Sequence, residues 1–273
     1  MFKHLKESLS TLRRIKPLVL NLTNYVTMDF MANSLLSLGA APIMSHCDDE
    51  LDELIQMAHS ININLGTLDD AFITRIKKAV KLAKKYQKPL ILDPVGAGAS
   101  AIRTNTAREL MPYVDIVRGN ASEIMALSDN QIKTLGVETL QETDAAKSKA
   151  RVLAKEYGLT VVISGRIDCI ISNTNEITLP FGSPLMSLIT GMGCTLTAVI
   201  AAFRGILSDS FISATLATCY FGLCGNMAAN KTKEPGTYHS AFIDALYTTD
   251  FSLIVKQYAE HDYAIQMPIN CGF

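Results

Sequence analysis

Between residues 18 and 164, short apolar runs recur between longer amphipathic stretches, and this alternation limits the possible folds more than any other feature. The runs at 18–22, 42–44, 61–65, 89–92, 114–117 and 160–164 read as buried strands. Those at 28–38, 49–59, 69–86, 104–111, 122–127 and 143–157 read as helices. A strand, a helix and a strand in repetition give parallel neighbours with helices covering both faces. Residues 168–179 then read as two antiparallel strands turning at 173–175. From Gly193 the pattern is helical, at 193–207, 210–230 and 237–248, with a further turn near 251–260. No repeat, low-complexity linker or Pro/Gly-rich hinge divides the chain. The expectation is an α/β fold: one domain over 1–273, with a central, mainly parallel sheet and helices on both faces.

Composition removes several classes of function. A formal charge of −1 and a pI near 6.5 give no electrostatic footprint for nucleic acid or an anionic membrane. No apolar stretch is expected to span a bilayer. The basic start, residues 1–16, has a transit-peptide flavour, but Glu7 and the missing apolar core favour an ordinary surface helix. The six cysteines, at 47, 169, 194, 219, 224 and 271, lack C-x-x-C spacing, so neither zinc nor a disulfide frame is expected. Free thiols fit a reducing cytosol.

In sheets of this kind ligands bind outside the C-terminal strand ends. Small and polar residues gather there: Asn21, Thr23 and Asn24; Met44 to His46; Asn64, Gly66 and Thr67; Asp93 to Ser100; Arg118 to Glu123; Ser164 to Arg166. A second signal lies at 184–201. Gly191, Met192, Gly193 and Cys194 precede an apolar helical run, and a helix start offers unpaired N–H groups and a positive dipole end to an anion. Cys194 closes that turn as a possible base, and a helix N-terminus is expected to lower a thiol's pKa. The combination suggests phosphoryl transfer, whose loose transition state asks little of a base.

Other motifs admit two readings. Gly96, Gly98 and Ala101 mimic a dinucleotide fingerprint, with Asp115 at the ribose-binding distance. However, Asp93-Pro94 interrupts the motif and Asp115 precedes its strand. The alternative makes Asp93 an acid at a strand end, with the glycines admitting substrate. In RGNASEI (118–124), Asp93 and Glu123 could jointly hold Mg²⁺ through waters, and Arg118 could meet nucleotide phosphate. Equally, Asn120 could cap the next helix and Glu123 complete a capping box. Met44 suits either core packing or contact with a small aromatic ligand.

These residues make the chain similar to the hydroxyethylthiazole kinase family, ribokinase-superfamily enzymes of thiamine salvage. The shared segments are TNYVTMDFMANSLLSLGAAPIM, NLGTL, LDPVGAGAS, RGNASEI, TGMGC and PGTYHSAFIDAL, in the family's order over nearly the full length. The resemblance implies a ribokinase-like fold and a cytoplasmic homotrimer with active sites between subunits. It further implies transfer of phosphate from ATP, with Mg²⁺, to 4-methyl-5-(2-hydroxyethyl)thiazole. By the same resemblance Met44, Asn24, Gly66 and Gly191 face the thiazole, and Arg118, Ser164 and Asn120 face ATP. Asp93 and Glu123 stand near Mg²⁺, residues 191–193 form the anion hole, and Cys194 takes the place of the superfamily's aspartate base. Ser45-His46-Cys47 and Glu234 depart from the family's pattern. The rivals are a hydroxymethylpyrimidine or pyridoxal kinase of the same superfamily, or an ADP/ATP-dependent repair lyase on this fold.

Overall fold

Strands that are apolar on both faces need cover on both, and the computed structural model, which describes residues 1–128 and 140–248, supplies it. Strands β1 (Leu18–Leu22), β2 (Ala41–Met44), β3 (Ser60–Asn64), β4 (Leu90–Asp93), β5 (Ile116–Asn120) and β6 (Thr160–Ser164) are parallel. A hairpin of β7 (Asp168–Ile171) and β8 (Glu176–Leu179) extends the β6 edge antiparallel. The spatial order is β2-β1-β3-β4-β5-β6-β7-β8. The chain therefore steps outward from β1 to β2 and returns to place β3 on the other side of β1. That reversal is a topological switch point, where a crevice opens at the strand ends.

Helices α1 (Phe2–Ile15), α2 (Met28–Leu38), α8 (Met192–Arg204), α9 (Ser210–Lys231) and α10 (Pro235–Tyr247) build one core with Val19, Ile91, Ile116 and Val162. Helices α3 (Leu51–Met57), α4 (Asp70–Lys85), α5 (Ala101–Leu110), α6 (Ala121–Ser128) and α7 (Leu140–Tyr157) build the other with Leu20, Ile61, Leu92, Val117 and Val161. Alternate strand residues thus serve opposite faces.

The departures from expectation are local. The helix expected over 49–59 spans only Leu51–Met57, because Arg75 and Lys78 hold Asp48 in a loop, at 2.7 and 2.6 Å. Helix α5 starts at Ala101, ahead of the expected 104, with Ser100 as its N-cap. The N-terminal helix packs Leu5, Leu9 and Leu12 into the core. Helix α9 corrects the expectation that no segment could span a bilayer: its length and apolarity suffice, yet it is 89% buried as a core helix. The turn expected near 251–260 lies outside the described residues.

Arg13 fastens three helices. From α1 its guanidinium donates to the carbonyl of Leu38 (3.2 Å), closing α2, and to those of Leu246, Tyr247 and Thr248 (3.1, 3.2 and 2.9 Å), closing α10. These are carbonyls a helix end leaves without partners. Arg13→Met is expected to cost about 2 kcal/mol and lower the thermal midpoint by about 5 °C. A melting curve matching the parent would remove Arg13 from this role.

Candidate active site

The two-residue period of the strands collects the polar side chains on the α8 face. Val19, Ile91, Ile116 and Val162 point to the α8 core, so Asn21, Asp93, Arg118 and Ser164, two residues further on, point the same way. Asn62 and Asn64 join them from β3, since Ile61 and Ile63 serve the opposite core. Asn21, Asn62, Asn64 and Asp93 are fully buried. A buried polar group must find partners, and these residues supply most of their own.

Asp93 is the centre of the network. Its Oδ2 accepts from Asn64 Nδ2 and from Thr197 Oγ1 of α8, both at 2.9 Å, and lies 3.6 Å from Arg118 Nη1. Its Oδ1 is buried and finds no partner. Burial is the main influence on the carboxyl and pushes it up to about 6; Arg118 opposes the rise and Glu123 adds to it. Arg118 Nη2 donates to Ser164 Oγ, while Arg118 Nε is buried without a partner.

The turn at 191–194 stands beside this pair. Gly191 caps α8 with φ of +92°, a backbone that L side chains rarely adopt. Gly193 leaves room for the guanidinium: a Cβ there would lie 2.5 Å from Arg118 Nη1 and push it aside. Helix start, guanidinium and carboxylate therefore meet as the sequence anticipated. Met192 contributes its backbone to the turn and buries its side chain in the core. A cleft of about 660 Å³ opens here, walled by Arg118, Asn120, Ser164, residues 191–193 and the hairpin side at Phe181–Ser183. Its size and mixed lining suit a small-molecule ligand.

Asn24, Gly66 and Cys194 cluster on the other side of the turn. Asn24 Nδ2 donates to Asn64 Oδ1 (2.8 Å) and to Cys194 Sγ (3.5 Å), and its Oδ1 accepts from the Thr27 N–H and hydroxyl, both at 3.1 Å. Gly66 N donates to Asn64 Oδ1 at 2.9 Å. Met44, half-buried at the end of β2, packs against the α8-side core. None of these four walls the large cleft. Cys194 corrects an expectation: its thiol is not lowered but pushed up to about 11, first by burial and then by the charge of Asp93. A thiol that stays protonated at neutral pH is no standing base.

Asn120 and Glu123 form the expected capping box. Glu123 N donates to Asn120 Oδ1 (2.8 Å) and Asn120 N to Glu123 Oε2 (2.9 Å). Glu123 Oε1 also accepts from Gly96 N at 2.8 Å, a link across to the β4 loop that the sequence did not reveal. The glycine-rich loop thus holds Glu123 through the Gly96 amide. Among the described residues no trio of His, Cys, Asp or Glu could cage a metal. Two carboxylates, one with an unsatisfied oxygen, do fit Mg²⁺, a hard cation that keeps waters and takes further ligands from phosphates.

A mainly parallel sheet with a hairpin edge, and a helix start that meets an acidic strand end and an arginine beside a small-molecule-sized cleft, make up a ribokinase-like fold. Bacillus subtilis pyridoxal kinase in its ADP complex is a solved structure sharing that fold, with a TM-score of 0.57 at 15% identity over 76% of this chain and 91% of that one. A structure of hydroxyethylthiazole kinase protein from Pyrococcus horikoshii OT3 matches with a TM-score of 0.83 and 35% identity, covering 90% of this chain and 93% of that one. The hydroxyethylthiazole kinase of Chlamydia caviae is 45% identical over 95% of this chain and 100% of its own. The hydroxyethylthiazole kinase family model matches residues 9–251, and the chain belongs to that family.

Proposed function

We propose that this enzyme transfers the γ-phosphoryl group of ATP to the primary hydroxyl of 4-methyl-5-(2-hydroxyethyl)thiazole, giving the thiazole phosphate for thiamine synthesis. The observation that carries the reading is the meeting of the α8 start, Arg118 and Asp93 at one point, in a chain of this family. ATP occupies the 660 Å³ cleft, with Arg118, Ser164 and Asn120 along its phosphates. The thiazole lies on the far side of the turn, against Met44, Asn24, Gly66 and Gly191. The backbone N–H groups of residues 191–193 take up charge on the migrating group as it passes from ATP to the alcohol.

Asp93 and Glu123 hold Mg²⁺, which when bound neutralises phosphate charge. The alcohol oxygen turns acidic as its bond to phosphorus forms, so its proton leaves late and base assistance carries little of the rate. Cys194 serves as a polar contact orienting the hydroxyl, its sulfur held by Asn24. Assembly as a homotrimer with active sites between subunits belongs to the same reading and rests on the family resemblance. The five described cysteines are free thiols, in keeping with a cytoplasmic enzyme.

The test is direct. Incubation with Mg-ATP and an equal mixture of thiazole alcohol, hydroxymethylpyrimidine and pyridoxal is expected to yield chiefly the thiazole phosphate by mass. A pyrimidine or pyridoxal phosphate as the main product would reassign the acceptor. Light scattering of the eluting protein checks for the trimer.

A further inference from the structure

Arg103, in the first turn of α5, takes no part in the chemistry above, yet it touches both halves of the site. Its Nη1 donates to the carbonyls of Leu65 (2.5 Å) and Val95 (2.8 Å), and its Nη2 donates to that of Gly66 (2.9 Å). Those carbonyls belong to two loops, one following β3 and one following β4. The first loop reaches Asp93 by way of Asn64, and the second engages Glu123 directly. Gly66 N holds Asn64 Oδ1, and Asn64 Nδ2 holds Asp93. Gly96 N holds Glu123 Oε1.

Two further observations mark the position. A cation in the first turn of a helix opposes the dipole, and Ser100 caps this helix start. A Cβ at Gly96 would lie 2.9 Å from Arg103 Cδ, so the neighbouring loop is shaped to admit this side chain. A planar guanidinium spreads its donors over three nitrogens and can serve three carbonyls on two loops, whereas an ammonium has all three of its donors on one nitrogen.

We propose that Arg103 is a positioning residue that sets the acceptor-side loop, 64–67, against the loop at 94–99 that orders Glu123. Its kinetic consequence rests on the phosphoryl transfer proposed above; its structural consequence does not. The experiment compares wild type, Arg103→Lys and Arg103→Ala. Amide hydrogen exchange is read at Gly66 and Gly96 in the ligand-free protein, and kcat and both KM values are read in the assay.

Exchange at both amides is expected to quicken about 10-fold in Arg103→Ala. A misplacement between reacting groups is expected to lower kcat about 10²-fold, with KM for ATP changing less than about threefold. Added guanidinium restores part of kcat in the alanine variant, and lysine does not. Unchanged exchange at Gly66 and Gly96, or a lysine variant with the parent's kcat, overturns the proposal. A wild type that phosphorylates none of the alcohols would instead overturn the functional reading, and the exchange result would still decide the role of Arg103. Should the alanine variant fail to fold, the lysine variant's exchange and kcat decide.

Discussion

Asp93→Asn is expected to lose about 10³-fold in turnover while making the protein more stable at pH 8. The two effects share one cause. Asparagine keeps the shape and can still accept from Asn64 and Thr197, but it cannot pair with Arg118 or hold a cation. The stability change follows from the carboxyl, which burial raises from 3.8 to about 6. A group with a raised folded pKa contributes stability that is fully present below its unfolded value and is lost as pH rises through the folded one. Between those limits the shift corresponds to about 3 kcal/mol. Above pH 6 the wild type therefore carries a carboxylate that burial disfavours, and the neutral amide relieves it. In chelator-treated protein the variant should melt several degrees above the parent at pH 8, with the gap closing towards pH 4. A variant less stable than the parent at pH 8 would show that the Arg118 pair outweighs desolvation at this site.

Much of the site could be read from local pattern. The two-residue alternation fixed which strand residues share a face, so the polar strand ends at Asn64, Asp93, Arg118 and Ser164 met beneath α8 as their spacing required. The small residues ahead of an apolar helix marked the turn at 191–194, where the positive φ at Gly191 favours glycine and Gly193 leaves room for the Arg118 guanidinium. Properties set by distant neighbours escaped. The state of Cys194 depends on burial and on Asp93, a hundred residues earlier, and these outweigh the helix start on which the sequence argument leaned. The bonds that hold the Asn24 amide to Asn64 and Cys194 likewise reach across the chain. The link from Glu123 to Gly96 joins two strand ends that no spacing rule connects. Arg103 gave no signal, because the helix was expected to begin only at 104.

The same geometry separates two neighbouring substitutions. Gly193→Asp places its Cβ where the Arg118 guanidinium rests and brings a resident carboxylate to the start of α8. The fold tolerates this, because a negative charge suits a helix N-terminus and the displaced atoms are the free end of a long side chain. Binding does not tolerate it: the new carboxylate pairs with Arg118, fills the seat of the phosphoryl group and repels it. A loss of about 10³-fold or more in kcat/KM is expected, comparable to removing the anion-stabilising donors outright, with the melting temperature near the parent's. Cys194→Ser keeps a polar contact and an acceptor for Asn24, and removes a thiol that burial already holds protonated. Its loss should be no more than about 10-fold, from a less exact seat for the hydroxyl, because a loose phosphoryl transfer asks little of a base. Equal residual turnover in the two variants would mean that the turn does not receive the phosphoryl group. A Cys194→Ser variant as inactive as Gly193→Asp would restore the thiol as an essential base.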